Sequence, residues 1–480
     1  MHDPWRSVGA ASALALLLLA GSIVFWPIIP LDETRYVSVA WEMHLRGDFL
    51  VPYLNGAAYS HKPPLLFWLM NAGWSLFGVN AWWPRAISAL FAVLSAPLVA
   101  LMALRLWPGG RDIAAIAPLL LQATALWMAL TTAIMFDIAL AFFVLAALLG
   151  VLRAANGARG GWLLYGTGLG LGILAKGPVA FLHVVPVVLL APLWKRTEGG
   201  SWLRWYGGFA LGVTFAAAIA LAWAVPAALR GGEQYASAIL WTQSAERVVH
   251  SFAHSHPWWW YVPLVPLTLL PWVFWKPVWT ALGKLRSDKA DPGMRFCLTW
   301  ALSTLVLLSC VSGKQIHYLL PLLPAAVLLI GRGLVAVEGA AVRVPKIAFA
   351  SVTAAAVLCA IALTVLAPRG FDVTDMAQRL KQLETAGTPV AHIGKYHGQY
   401  QFVGRLERPL DVIGAGEIGR WAAAHPEGRL VAYFRPPHGD EISGEYEQRY
   451  RGRRVLLMTA AVAAERLQTD AECDCPAVDH

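Results

Sequence analysis

The stretch VGAASALALLLLAGSIVFWPIIPLDETRY, residues 8–36, decides the fold class. Residues 8–30 carry no charged side chain, and a membrane helix needs about 20 apolar residues in a row. The run then passes directly into Asp32-Glu33. It is longer than the apolar core of a cleaved leader, about 7–15 residues, and its leader is barely basic, so it reads as a retained span.

Working outward, similar runs recur near 82–104, 113–130, 133–152, 161–176, 178–194, 205–229, 260–283, 296–311, 316–335 and 346–367, which gives about eleven spans. The loops support this pattern. With a cytoplasmic N-terminus, every even junction is basic: Arg105 and Arg111; Arg153 and Arg159; Lys195, Arg196 and Arg204; Lys284, Arg286, Lys289 and Arg295; Arg332, Arg343 and Lys346. The composition agrees, at 58% hydrophobic and 14% charged, and the net charge of +9 follows these loops and does not point to nucleic acid. Of the 29 Asp and Glu, 16 lie after Pro368. The expected division is therefore a membrane domain over 1–367 and a polar domain over 368–480, placed outside the cytoplasm by an odd number of spans.

That tail alternates strand-like segments (389–393, 409–413, 429–434, 454–458) with helix-like ones (near Gln399, 418–424, 460–467), the pattern of a small α/β domain. It shows no nucleotide-binding loop. Cys297, Cys310 and Cys359 lie in apolar runs and read as small core residues, and the one-residue spacing of Cys473 and Cys475 disfavours a bridge.

Two outer loops are long, 31–81 and 230–259, and the second ends in the interfacial aromatic run His256-Pro257-Trp258-Trp259-Trp260. The unusual polar residues gather on this outer side: Asp32, Glu33, Arg35, Tyr59, His61 and Lys62, then Asp137, Lys176 and Arg247, then Lys314 and Tyr318. Each has a plain alternative. Asp32-Glu33 can cap a helix, Lys62 and Lys176 can snorkel to the interface, and Asp137 can be a structural partner for a basic residue. Independent structural residues would not all fall on one side. Cations with carboxylates at a lipid-accessible mouth suit a lipid-borne phosphate and a reaction at a sugar carbon.

Leu31-Asp32-Glu33-Thr34-Arg35-Tyr36, Gly47-Asp48-Phe49-Leu50-Val51-Pro52 and His61-Lys62-Pro63-Pro64 resemble the first outer loop of lipid-carrier-dependent glycosyltransferases of the GT-C fold. That family includes the aminoarabinose transferases of lipid A and, more distantly, the protein O-mannosyltransferases. Phe136-Asp137-Ile138-Ala139-Leu140, Ala175-Lys176-Gly177-Pro178, and Lys314 with Tyr318-Leu319-Leu320-Pro321 follow in the same order, so the resemblance covers roughly residues 8–335. It implies an all-α polytopic membrane protein, GT-C-like, with a small C-terminal α/β soluble domain.

It also implies a polyprenyl-phosphate-linked sugar as donor, inversion at the anomeric carbon, and a membrane lipid or glycolipid acceptor such as lipid A or lipopolysaccharide core. A protein acceptor is the alternative, and a lipid-linked sugar transporter a more distant one, since mid-membrane charges in several spans and repeated halves are missing. By the resemblance, Asp32 matches the first-loop acid, and Asp32, Glu33 and Asp137 are the candidate catalytic residues. Lys62, Lys176 and Arg247, with Arg35 near, match donor-phosphate contacts, and Tyr59, Asp137, Lys314 and Tyr318 match pocket residues. The aminoarabinose transferases carry Glu just before the first-loop Lys, and Ser244 stands here where relatives carry His, so a divalent metal would rest on His61 with the segment His250–His256. The compartment implied is the bacterial inner membrane, with site and tail periplasmic. Reporter fusions at Gly199 and Gly370 are expected to report opposite sides of the membrane, and the same side at both would overturn the odd number of spans.

Overall fold

The computed structural model describes residues 3–195, 201–239, 256–285, 291–366, 370–435 and 442–467. The chain forms two compact units, and the division is not a single cut. One unit is Met1–Val24, Ser60–Leu69 and Trp82–Val357; the other is Phe25–Tyr59, Met70–Ala81 and Leu358–His480. Most of the first outer loop, expected to go with the membrane part, clusters with the tail.

Among the described residues, seven helices are long and apolar enough to cross a membrane: Pro4–Phe25, Trp82–Leu106, Asp137–Ala155, Trp202–Ser237, Pro292–Cys310, Ile316–Leu334 and Ala340–Ala362. The protein is a multi-span membrane protein. The pair Arg111–Gln122 and Ala125–Thr132, bent by 60°, makes an eighth if counted as one span. The remaining expected spans are shorter or interrupted. Residues 260–283 carry Pro263, Pro266, Pro271 and Pro277, each removing a backbone donor, and divide into Trp258–Trp260, Tyr261–Thr268, Trp272–Phe274 and Lys276–Leu285. The 60° bend is a break whose freed groups find new partners. Thr124 Oγ1 and Trp272 Nε1 both donate to the Leu120 carbonyl, at 2.7 and 2.9 Å, and Ala125 N donates to Leu270 O at 2.8 Å.

The element that positions the site is a hairpin of Asp137–Ala155 and Gly161–Lys176. Glycines let the two backbones touch. A Cβ on Gly150 would lie 2.5 Å from Tyr165 N, and one on Gly168 would lie 2.6 Å from Ala147 N. On the opposite face, a Cβ on Gly166 would lie 2.6 Å from the Gly212 carbonyl of Trp202–Ser237. Small residues are how helices approach closely where apolar burial gives no preference. Because the hairpin is antiparallel, the first residue of one helix and the last of the other come to the same end.

In the second unit, β1 (Tyr53–Leu54) and β2 (Ala57–Ala58) form a small hairpin. β3 (Val390–Ile393), β4 (Asp411–Ile413), β5 (Arg429–Phe434), β6 (Tyr446–Tyr450) and β7 (Arg453–Thr459) form a sheet in the order β4-β3-β5-β7-β6. β3 runs parallel to β4 and β5, and β7 antiparallel to β5 and β6. Both faces are covered. Leu430, Ala432 and Phe434 enter one core with Trp421 and Ala463, while Val431 and Tyr433 enter the other with Met376 and Leu380. β6, with its charged sequence, and helix Thr374–Thr385 were not among the expected elements. The segment near Gln399 is a series of turns and not a helix, with Gly398 at φ 74° and Arg405 at φ 54°.

These turns receive the first outer loop. Ser38 on helix Asp32–Arg46 donates from Oγ to Gly398 O at 2.7 Å and accepts from Phe402 N at 3.1 Å. Trp41 Nε1 donates to Leu406 O at 2.8 Å, and Trp74 stacks on Phe402 with centroids 5.2 Å apart. Asn55 pairs both ways with the Leu410 backbone, at 2.8 and 2.9 Å. Ser38→Ala leaves a buried carbonyl and a buried N–H without this partner, so it is expected to cost about 1–3 kcal/mol. Thermal unfolding of the full chain in detergent measures this, and a stability equal to wild type would show that the serine is dispensable for the docking.

Candidate active site

In the membrane unit, Asp137 opens its helix and Lys176 closes the next, so the hairpin presents a carboxylate at one helix N-terminus and an ammonium at the other's C-terminus. Their side chains are 1% and 8% exposed and form an ion pair, Lys176 Nζ donating to Asp137 Oδ1. Lys176 Nζ also lies 4.7 Å from the ring centroid of Tyr318. His317 packs edge-on to Tyr318 at 4.8 Å. Lys62 Nζ lies 6.0 Å from the ring of Phe136, which Phe67 meets edge-on at 5.6 Å. His317 and Lys62 are both within Coulombic reach of the Asp137 carboxylate. Lys62, Asp137, Lys176 and Tyr318, read separately in the sequence, are therefore brought to one place.

Lys314 is placed differently. Its ammonium is buried and donates to the backbone carbonyls of His256, at 3.0 Å, and Val311, and burial lowers its pKa. It fastens the segment entering Trp258–Trp260 to the turn before Ile316–Leu322, a structural duty that the sequence did not reveal.

His183 was missed. It lies within the apolar helix Val179–Leu189, is 1% exposed, and neither ring nitrogen has a hydrogen-bond partner among the described residues. Lys176 and Asp137 are the charges it faces. The signal was available: one ionisable residue in the run VAFLHVVPVVL.

In the second unit, Asp32 and Glu33 part company. Asp32 is exposed, lies 3.8 Å from Arg35 Nη1, and accepts a hydrogen bond from Tyr36 Oη at 3.4 Å. Glu33 is buried and accepts from the backbone N–H of Ile29 at 2.9 Å, so it serves the chain entering the helix. Tyr59 is buried beside the β1–β2 hairpin, its N–H donating to Pro52 O at 2.8 Å. Arg247, Ser244, His250 and His254 lie outside the described residues. Among the described residues no group of three or more His, Cys, Asp and Glu is placed to hold a metal ion, so His61 has no ligand set around it there.

Known proteins share this arrangement of helices. Residues 61–227 match the family described as dolichyl-phosphate-mannose-protein mannosyltransferase. The undecaprenyl phosphate-alpha-4-amino-4-deoxy-L-arabinose arabinosyl transferase of Pseudomonas paraeruginosa is 32% identical over 335 residues, 67% of this chain and 59% of its own length. The corresponding enzyme of Serratia proteamaculans is 31% identical over 320 residues, 65% of this chain and 56% of its own. This chain is a relative of those transferases. It spans somewhat under two thirds of their length. The crystal structure of ArnT from Cupriavidus metallidurans bound to undecaprenyl phosphate superposes with a TM-score of 0.76, covering 94% of this chain and 98% of that one at 22% identity. The Archaeoglobus fulgidus oligosaccharyltransferase follows at a TM-score of 0.52 and 13% identity, covering 89% and 69%. The fold is the GT-C fold of ArnT, with its small C-terminal sheet domain.

Breaking the buried pair from one side leaves a buried charge alone. Asp137→Asn is expected to destabilise the chain by about 3–5 kcal/mol. Asp137→Asn/Lys176→Met, which removes both charges, is expected to recover most of that loss in a detergent melt. A double variant no more stable than the single one would show that the pair is not what holds this end of the hairpin.

Proposed function

We propose that this chain is an inverting glycosyltransferase of the bacterial inner membrane. It works at the periplasmic side and moves one sugar from a polyprenyl-phosphate carrier to an envelope acceptor, lipid A or lipopolysaccharide core. The observation that carries this reading is the buried Asp137–Lys176 pair under Tyr318, with Lys62 and His317 around it. Lys176, Lys62 and His317, which are cationic or can become so, all act on the Asp137 carboxylate, and such a concentration of cations suits an anionic ligand. The relatives' names supply the chemical identity of such an anion, undecaprenyl phosphate.

In this reading the bond between the sugar's anomeric carbon and the carrier phosphate breaks, and its electron pair stays on the phosphate oxygen. Lys62, Lys176 and Arg247 stabilise that growing charge. The acceptor oxygen attacks from the opposite face, which inverts the carbon. Asp32 takes the proton of a hydroxyl acceptor, or stabilises positive charge on the sugar when the acceptor is an already ionised phosphate. Tyr318, beside the Asp137–Lys176 pair, belongs to the sugar pocket. The family description naming protein mannosyltransferases supports a second reading with a protein acceptor, and assay with both acceptor classes separates the two.

Single-turnover transfer with saturating donor tests the roles. Asp32→Asn is expected to lose about 10²–10⁴ in rate with donor affinity unchanged or tighter, and Glu33→Gln to lose less. Lys62→Ala is expected to weaken undecaprenyl-phosphate binding by about 1.5–3 kcal/mol. An Asp32→Asn enzyme within a few-fold of wild type removes that residue from the mechanism, and unaltered donor affinity leaves Lys62 an interfacial anchor.

A further inference from the structure

The sheet domain of the second unit has a cavity of about 400 Å³ that none of the roles above uses. It lies beyond the carboxyl ends of β3 and β5 and is lined from just past each: Lys395 and His397 follow β3, and Arg435 follows β5. From β3 the chain goes to β4 on one flank; from β5 it goes on to β6 and β7, on the other flank. The strand order therefore reverses between β3 and β5, and α/β sheets bind ligands outside the strand ends at such a switch point.

Four of the lining residues are lysine or arginine, Lys395, Arg435, Arg451 and Arg453, and none is Asp or Glu. Arg451 and Gly452 form the two-residue turn between β6 and β7, and both have positive φ, 51° and 80°. Such turns favour Asn and Gly. An arginine held in this conformation costs backbone strain, which collects at functional positions. The floor is preorganised and buried. Gln399 Nε2 donates to Tyr433 Oη at 2.8 Å, Tyr400 and Tyr433 hydroxyls pair at 2.7 Å, and the His392 Nδ1–H donates to Gly394 O at 3.1 Å. His392 is thereby held with Nε2 as acceptor, 3.3 Å from Tyr433 Oη. Burial and then the charges of Arg35, Lys395 and Arg451 push His397 down to about 4, with Asp32 opposing, so the field in the cavity is positive. Leu31, the residue before Asp32, lines the same cavity.

We infer that this cavity binds the anionic headgroup of the acceptor, a phosphomonoester carried on a lipid, and delivers the acceptor beside Asp32. The inference rests on the transferase reading for the identity of the acceptor; the anion site itself does not. A phosphate seated between Arg435, Arg451 and Arg453 would meet forked donors suited to its oxygens, and Lys395 a point charge. This gives the sheet domain a task in acceptor selection.

The test uses the full chain in detergent, preloaded with undecaprenyl phosphate so that the donor site is filled, with dodecyl phosphate and inorganic phosphate as probes. The variant is Arg435→Gln/Arg451→Asn, in which Asn suits the positive φ of the turn and keeps it folded. Dodecyl phosphate is expected to bind wild type and to bind the variant about tenfold or more weakly. The acceptor KM is expected to rise by a similar factor, with kcat at saturating acceptor within about twofold and undecaprenyl-phosphate affinity unchanged. Equal dodecyl-phosphate binding by wild type and variant overturns the site. Inorganic phosphate that binds as tightly as dodecyl phosphate and is not displaced by it overturns the assignment to a lipid headgroup. Variant-sensitive dodecyl-phosphate binding in a wild-type chain that transfers no sugar upholds the anion site and removes the transferase reading instead.

Discussion

Asp137 and Lys176 are each the reason the other can be buried. Removing either charge from water costs several kcal/mol, and only a close, hydrogen-bonded partner offsets it. Two further features favour the pair. Asp137 sits at a helix N-terminus and Lys176 at a C-terminus, so both helix dipoles act in its favour. The hairpin that brings these ends together is held in register by glycine contacts that admit no added Cβ, at Gly150, Gly161 and Gly168. A slip of one residue would separate the charges and collide the backbones. The glycines of GWLLYGTGLGLGILAK, which look like a weak helix former by propensity, are the condition for the pair. The pair in turn sets where Tyr318, His317 and Lys62 can act, since each is placed against it or against its neighbour Phe136.

The second unit solves a different problem. A loop of some fifty residues (31–81) between two spans would ordinarily be mobile, and a catalytic acid on it would be poorly placed. Here the helix that begins at Asp32 is fastened along its length to turns far away in sequence, through Ser38 to Gly398 and Phe402 and through Trp41 to Leu406. The sheet supporting those turns is buried on both faces, so they rest on the most rigid part of the unit. The tail is therefore part of the apparatus that holds the first loop.

What could be read from the sequence followed from periodicity and from the cost of burying charge. Long apolar runs gave the membrane helices, and an isolated Asp137 in such a run pointed to a buried partner, which Lys176 supplies. Strands β3, β4, β5 and β7 were visible because their apolar residues run together, while β6, YEQRY, pairs on one edge only and keeps its charges in water. The proline-rich segment after Trp258 read as one span because hydropathy counts apolar residues and not backbone donors. The carbonyl contacts of Lys314 were unreadable because a lysine before a span looks the same whether it meets a substrate or two carbonyls. The docking of the first loop on the tail was unreadable in principle, since hydrogen bonds between residues about 360 apart leave no local pattern.

Asp32 and Glu33 show how the two constraints meet in adjacent residues. Successive positions on a helix point about 100° apart, so one side chain can face inward while the next faces water. Glu33 is turned inward, where its carboxylate accepts the Ile29 N–H and fixes the chain entering the helix. Asp32 is turned outward, with one distant arginine, one weak tyrosine contact and the His397 ring within reach of its charge. A carboxylate whose hydrogen-bonding capacity was already filled would have little left to offer a reacting oxygen or a sugar cation. The inward acid makes the local structure firm, and that firmness is what allows the outward one to stand in a defined place with its charge largely uncommitted.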